Sequence, residues 1–278
     1  MRTRVEAIAA QSVVGRLGLR TAEALVQVEL FDRSMTLAAQ AFTSVVPIII
    51  AAAALQGGDA QPVGQNLATH LGLSHSAKSV LESAVPPASD VFSALGWFGI
   101  LVLIVSATAL SRALERFYIR VWSARKAGLR FAWRWLAAVA AVVIGVLLVQ
   151  FTRSVIEPRS GFGAFGFVLE VVIWAAVWLI TPWVVLNRTV SFRMLLPGAV
   201  LAGIALAIMG LVGRVYLPIA LSAAAAQFGV LGITFSYIGW LFVLMFVLVA
   251  ATTIGQVLVT DDGATGRILR GEKRPIAP

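Results

Sequence analysis

A carboxylate inside an apolar run is the residue in this 278-residue chain with the greatest chemical potential. Glu170 sits among Val168, Leu169, Val171 and Val172, about eight residues or ~12 Å into a hydrophobic stretch at the helical rise of 1.5 Å per residue. An acid in hydrocarbon costs on the order of a few kcal/mol and faces a partner or water when it persists. Three readings follow: half of a structural salt bridge, a member of a polar pathway, or a shallow position without a role. Arg214 is the expected partner, because both residues lie in the outer half when their helices run antiparallel. Gln40, Ser44, Ser106, Thr108, Ser236 and Gln256 are further polar side chains within or beside apolar runs. With Glu170 they make seven candidates for a polar lining, of which at least four are expected to share one crevice, with Arg112 or Arg116 near its inner mouth.

Arg112, Glu115, Arg116 and Arg120 follow the second apolar run. The spacing puts Arg112 and Glu115 on one face, continued by Arg116 and Arg120. The cluster is expected either to grip anionic head groups at the cytoplasmic surface or to act as orientation charges with an intrahelical pair. Pro47 and Pro182 interrupt apolar runs and each removes a backbone hydrogen bond, so they are candidate flexible points.

Other chemistries are poorly supplied. The chain has no cysteine, and its two histidines, His70 and His75, are five apart, which does not align them on one helical face. No HExxH, GxSxG or P-loop pattern occurs. The run Gly161 to Gly166, GFGAFG, matches a dinucleotide fingerprint in letters, but that fingerprint needs a preceding strand. The expectation is a protein that is not an enzyme and carries no metal or cofactor.

The elements that position these residues are membrane helices. Hydrophobic residues make up 59% of the chain and charged ones 13%, against roughly 25% charged in a soluble domain. Six apolar runs are long enough to cross ~30 Å of hydrocarbon as helices: residues 37–55, 91–110, 133–151, 162–186, 195–212 and 235–259. Alternate connections hold 18 of the 22 basic residues. The positive-inside rule then places both termini in the cytoplasm. The same asymmetry accounts for the net charge of +9 without a nucleic-acid partner.

The expected organisation is therefore all-α. Residues 1–36 form a retained cytoplasmic amphipathic segment, 37–259 a six-helix membrane domain with a long extracytoplasmic connection at 56–90, and 260–278 a cytoplasmic tail expected to be disordered. In the first segment Arg16, Arg20, Glu23 and Gln27 oppose Val14, Leu17, Leu25, Val28 and Phe31. That helix is expected either to lie in the membrane interface or to cap the inner mouth of the bundle. Gly198, Ala199, Ala202, Gly203 and Ala207 allow close helix packing in the fifth run.

Three stretches carry a family resemblance: Asp32 to Leu55 (DRSMTLAAQAFTSVVPIIIAAAAL), Ser106 to Trp122 (SATALSRALERFYIRVW), and the pair Leu195 to Tyr216 and Phe228 to Gly255. Together they resemble the YihY/BrkB family of bacterial inner-membrane proteins. The resemblance implies six spans, both ends in the cytoplasm and a cell-envelope role in handling lipids or envelope precursors. Family members often carry an acid soon after the small residues ending span six. Here Gly255 is followed by Gln256, and the next acid is Asp261. The family once carried a ribonuclease label, which the lack of a clustered set of metal-binding acids and histidines argues against.

The expected function is transporter-like handling of a lipid or envelope amphiphile, with membrane lipids as partners. Glu170 and Arg214 would form an outer polar contact, Arg112 and Arg116 a head-group contact, and Gln40 part of the lining. The rival reading is a scaffold that recruits envelope-assembly proteins and transports nothing; a membrane-bound nuclease comes third.

Overall fold

The computed structural model describes residues 13–55, 77–79, 105–106, 108–124, 133–156 and 163–271. The expectations for most of the 56–90 connection, for both histidines and for the start of the GFGAFG run lie outside these residues. Among the described residues the chain is helical and contains no strand. The helices are α1 (Val13–Gln27), α2 (Leu30–Leu55), α3 (108–122), α4 (Trp133–Ile156), α5 (Gly163–Val185), α6 (Phe192–Thr260) and α7 (Ala264–Arg270). They fall into two compact units. One comprises Met1–Ser34, Ser111–Ala207 and Phe246–Pro278; the other comprises Met35–Leu110 and Ile208–Met245.

Among the described residues three helices are long and apolar enough to cross a membrane: Arg134–Ser154, Gly163–Val185 and Phe192–Thr260. The last contains the fifth and sixth apolar runs and is broken at Gly229, whose φ of 60° and ψ of −139° are open to a residue without a Cβ. The connection between those two runs is thus helical on both sides of a single break. Pro47 lies within α2. Pro182 lies within α5, buried and one turn from its end, where its carbonyl accepts the Leu186 N–H at 2.8 Å.

In the first unit small residues set the helix spacing. A Cβ on Gly145 of α4 would collide with Val177 of α5. One on Gly203 of α6 would come 2.7 Å from the Val171 carbonyl oxygen, and the backbones of Gly198 and Gly255 approach closely enough to exclude any side chain between them. Ala199, Ala202 and Ala207 are buried beside them. The packing role read from that stripe is what the fold uses.

Two terminal segments depart from expectation. The amphipathic helix stops at Gln27 and does not run on to Phe31, because the chain turns at Glu29, where φ is 60°. Phe31 belongs to α2 and meets Phe246 edge-on, with ring centroids 5.4 Å apart. Of the tail beyond Thr260, residues 261–271 are described, and they include a helix. Asp261 is buried, α7 follows, and Gly271 in the left-handed region caps α7 by donating its N–H to the Ile268 carbonyl at 3.0 Å.

Candidate functional site

Glu170 is buried on α5, and Arg153 from the last turn of α4 grips it. Arg153 Nε donates to Oε1 at 2.8 Å and Nη2 to Oε2 at 3.0 Å, a two-pronged, charge-assisted contact. The fork comes from Arg153, where the sequence pointed to Arg214. Helices consecutive in the chain tend to pack side by side, so the arginine that ends α4 reaches the acid early in α5. Arg214 is exposed on α6, within the other compact unit.

A second polar group forms around Trp135 at the start of α4. Ser111 Oγ donates to the Trp135 carbonyl at 2.6 Å, and Trp135 Nε1 donates to Glu115 Oε2 at 2.9 Å. The Arg112 guanidinium lies over the indole ring, 4.8 Å from its centroid. Arg112 and Glu115 were expected to share a face. Instead, Glu115 turns inward and is buried while Arg112 stays outside on the ring. Around α3 the division is sharp: Ala113, Leu114, Phe117, Tyr118 and Val121 are buried, whereas Arg112, Arg116 and Arg120 are exposed. Positions 112, 116 and 120 repeat every four residues, so the three guanidinium groups form one row. Arg120 Nη2 also donates to the Gln27 carbonyl at 3.3 Å, tying the row to the end of α1.

A third site was not anticipated. Asp261, at the C-terminal end of α6, accepts from Arg20 Nη1 at 2.9 Å, Arg16 Nη2 at 3.3 Å and the Gly263 N–H at 2.9 Å. Arg270 Nη1 reaches back to the carbonyls of Val259 and Asp261, at 2.7 and 3.0 Å. Burial is the largest single influence on the Asp261 carboxyl and would raise its pKa. The Gly263 N–H and the charges and hydrogen bonds of Arg16 and Arg20 together outweigh it and hold the pKa below its ordinary value. The clasp holds α1 against the end of α6.

Two of the polar residues proposed to line one crevice, Ser44 and Thr108, are served by nearby backbone carbonyls. Ser44 Oγ donates to the Gln40 carbonyl at 2.8 Å and to the Ser106 carbonyl at 3.2 Å. Thr108 Oγ1 donates to Val105. Ser44 and Ser106 are thus brought together. The Gln40 backbone joins them through its carbonyl, while Glu170 and Gln256 belong to the other unit. Among the described residues no group of three His, Cys, Asp or Glu side chains is arranged to hold a metal ion.

A sequence model of the family described as Virulence factor BrkB matches residues 21–274. The chain belongs to the BrkB family. No curated protein and no solved structure matches it. The BrkB match takes in the arginine row, the Glu170–Arg153 pair and Asp261, while Arg16 and Arg20 precede it. Family membership agrees with the three apolar helices found among the described residues: this is a membrane protein, helical throughout those residues apart from turns.

Proposed function

We propose that this BrkB-family protein handles a lipid or other envelope amphiphile with an anionic head group in the bacterial inner membrane. The observation that carries the reading is the exposed row Arg112, Arg116 and Arg120 on a helix that buries Ala113, Leu114, Phe117, Tyr118 and Val121 on its other side. Guanidinium groups match phosphate and carboxylate oxygens in pairs. The Trp135 ring holds Arg112 outward, so less freedom is lost when it binds. In this reading the chain has six spans and cytoplasmic termini, as the segregation of basic residues suggests, and the row faces the inner leaflet. No ATPase motif occurs in the sequence, so movement would be downhill, coupled to an ion gradient or driven by a partner.

A scaffold is the second reading. It is favoured by the Ser44 and Thr108 hydroxyls, which end on backbone carbonyls and so leave less polar surface for a head group to follow. Purified protein in liposomes with fluorescent anionic or zwitterionic lipids separates the two. A handler exchanges anionic lipid between leaflets, whereas a scaffold exchanges neither. Replacing Arg112, Arg116 and Arg120 together with Gln should weaken binding to anionic vesicles roughly 100-fold, at about 1 kcal/mol per arginine near an anionic surface. Undiminished binding and exchange in that variant would sink the head-group role.

A further inference from the structure

The fifth and sixth apolar runs were expected to end at 212 and resume at 235, yet α6 stays helical through that connection except at Gly229. Tyr216 and Trp240 stack with centroids 5.7 Å apart and an interplanar angle of 28°. Gly213 makes room for the indole, since a Cβ there would lie 2.8 Å from Trp240 Cζ2. Tyr216 lies just beyond the fifth run and Trp240 just inside the sixth, and an amphipathic ring pair at that level is the composition of a membrane interface. Beyond it, residues 217–228 continue as helix for about 18 Å at 1.5 Å per residue before Gly229 turns the chain back.

The inner face of this hairpin is filled: Leu221, Ala225 and Ile233 are buried together with Ala77 from the long connection, and Leu217 and Tyr237 pack on them. Most of the remaining hairpin surface is open and apolar, Gln227 being its exposed amide. Ile219 is 67% exposed, Phe228 68%, Leu231 66% and Phe235 70%. No charged residue occurs between Arg214 and Asp261. A helix standing in water normally carries charges on its open side, and a protein-docking patch normally has a polar rim. Here the open stripe runs without interruption from the span outward, through Ile208, Val215 and Ile219. The surface offered to acyl chains inside the membrane is the same one offered beyond it.

We infer that the 217–235 hairpin is an acyl-chain site, receiving the hydrocarbon tail of an amphiphile as it leaves the outer leaflet. This rests on the proposed handling of a lipid and names the part of that lipid the hairpin takes. The stripe supplies apolar contact that water cannot, so a tail drawn along it avoids re-exposure.

The test uses the full chain in liposomes containing a phospholipid with a photoactivatable group on its acyl chain. Two results are expected together. Peptides from 217–235 become labelled along with those from 200–212, and Ala223→Cys, at an exposed position, reacts with an impermeant maleimide. Ile219→Gln with Leu231→Gln, both at exposed positions, should lower hairpin labelling several-fold and leave span labelling unchanged. Labelled spans with an unlabelled hairpin would overturn the inference. So would an Ala223→Cys shielded within the bilayer, or one cross-linked to a second copy. Leaflet exchange without hairpin labelling removes this site and leaves the proposed function standing. Hairpin labelling without exchange retains the site and removes transport.

Discussion

Two carboxylates in one compact unit are both buried and both held by arginine, yet they stand in different surroundings. Glu170 lies within an apolar helix and takes a two-pronged contact from Arg153, whose side chain is 25% exposed. Asp261 lies at a helix end and takes single contacts from Arg16 and Arg20, 44% and 38% exposed. The first pair joins helices that follow each other in the chain. The second closes a loop of more than two hundred residues, with partners 245 and 241 positions away. The difference separates what each contact does. The first neutralises a charge that the membrane interior cannot hydrate, and the second fixes where a terminal helix rests.

The comparison breaks most visibly at Arg153. Arg153→Gln removes the fork from an acid buried in an apolar helix, and breaking such a pair costs about 3–5 kcal/mol. Glu170→Gln should cost less, and the double variant less than the two single changes together. Melting of the detergent-solubilised protein checks this; strict additivity would mean that the fork contributes nothing to stability.

Asp261 should respond more gently, because its arginines are partly in water and screened. Asp261→Asn is expected to cost about 1–2 kcal/mol and to raise hydrogen exchange in α1 while leaving α4 and α5 protected. Acid should do the same to the unaltered protein. The folded-state pKa lies below the ordinary value of 3.8, so the stabilisation is complete above that value and is lost as pH falls through the folded-state pKa. Protection of α1 should hold from neutrality to about pH 4 and fall below it, whereas the Asn variant should show no such step. Loss of α1 protection near pH 6 would assign the clasp to another group.

These sites were unequally legible in the sequence. Glu170 was visible because its neighbours are uniformly apolar, a local property. Its partner was not, because matching depths across the bundle is weaker guidance than adjacency in the chain. Asp261 was read as part of a disordered tail, since its burial is created by residues from the opposite end of the sequence. Arg16 and Arg20, four apart, looked like an ordinary polar face. One signal was present: a Cβ at Gly263 would collide with the Asp261 carboxylate and one at Gly266 with its carbonyl, so the spacing of glycines after Asp261 belongs to a tight turn. The helical connection at 213–234 stayed hidden because its small and apolar residues, broken by Gly229, read equally well as a loop between two spans.

The smallest effect is expected at a third carboxylate. Glu29 accepts from Arg33 Nη2 at 2.9 Å, the same short contact seen at Asp261, but its side chain is 49% exposed and that of Arg33 31%. An exposed pair one helical turn apart contributes about 0.3–0.5 kcal/mol. Glu29 also adopts a φ of 60° between α1 and α2, a conformation that costs a residue with a Cβ free energy. Glu29→Gln keeps that strain and loses the pair, so a destabilisation below about 0.5 kcal/mol is expected. Glu29→Gly loses the pair and relieves the strain, so its stability should equal or exceed that of the unaltered chain. If Glu29→Gln instead matched Asp261→Asn in cost, contact length and not burial would set the worth of these pairs, and the contrast between the two buried acids would lose its basis.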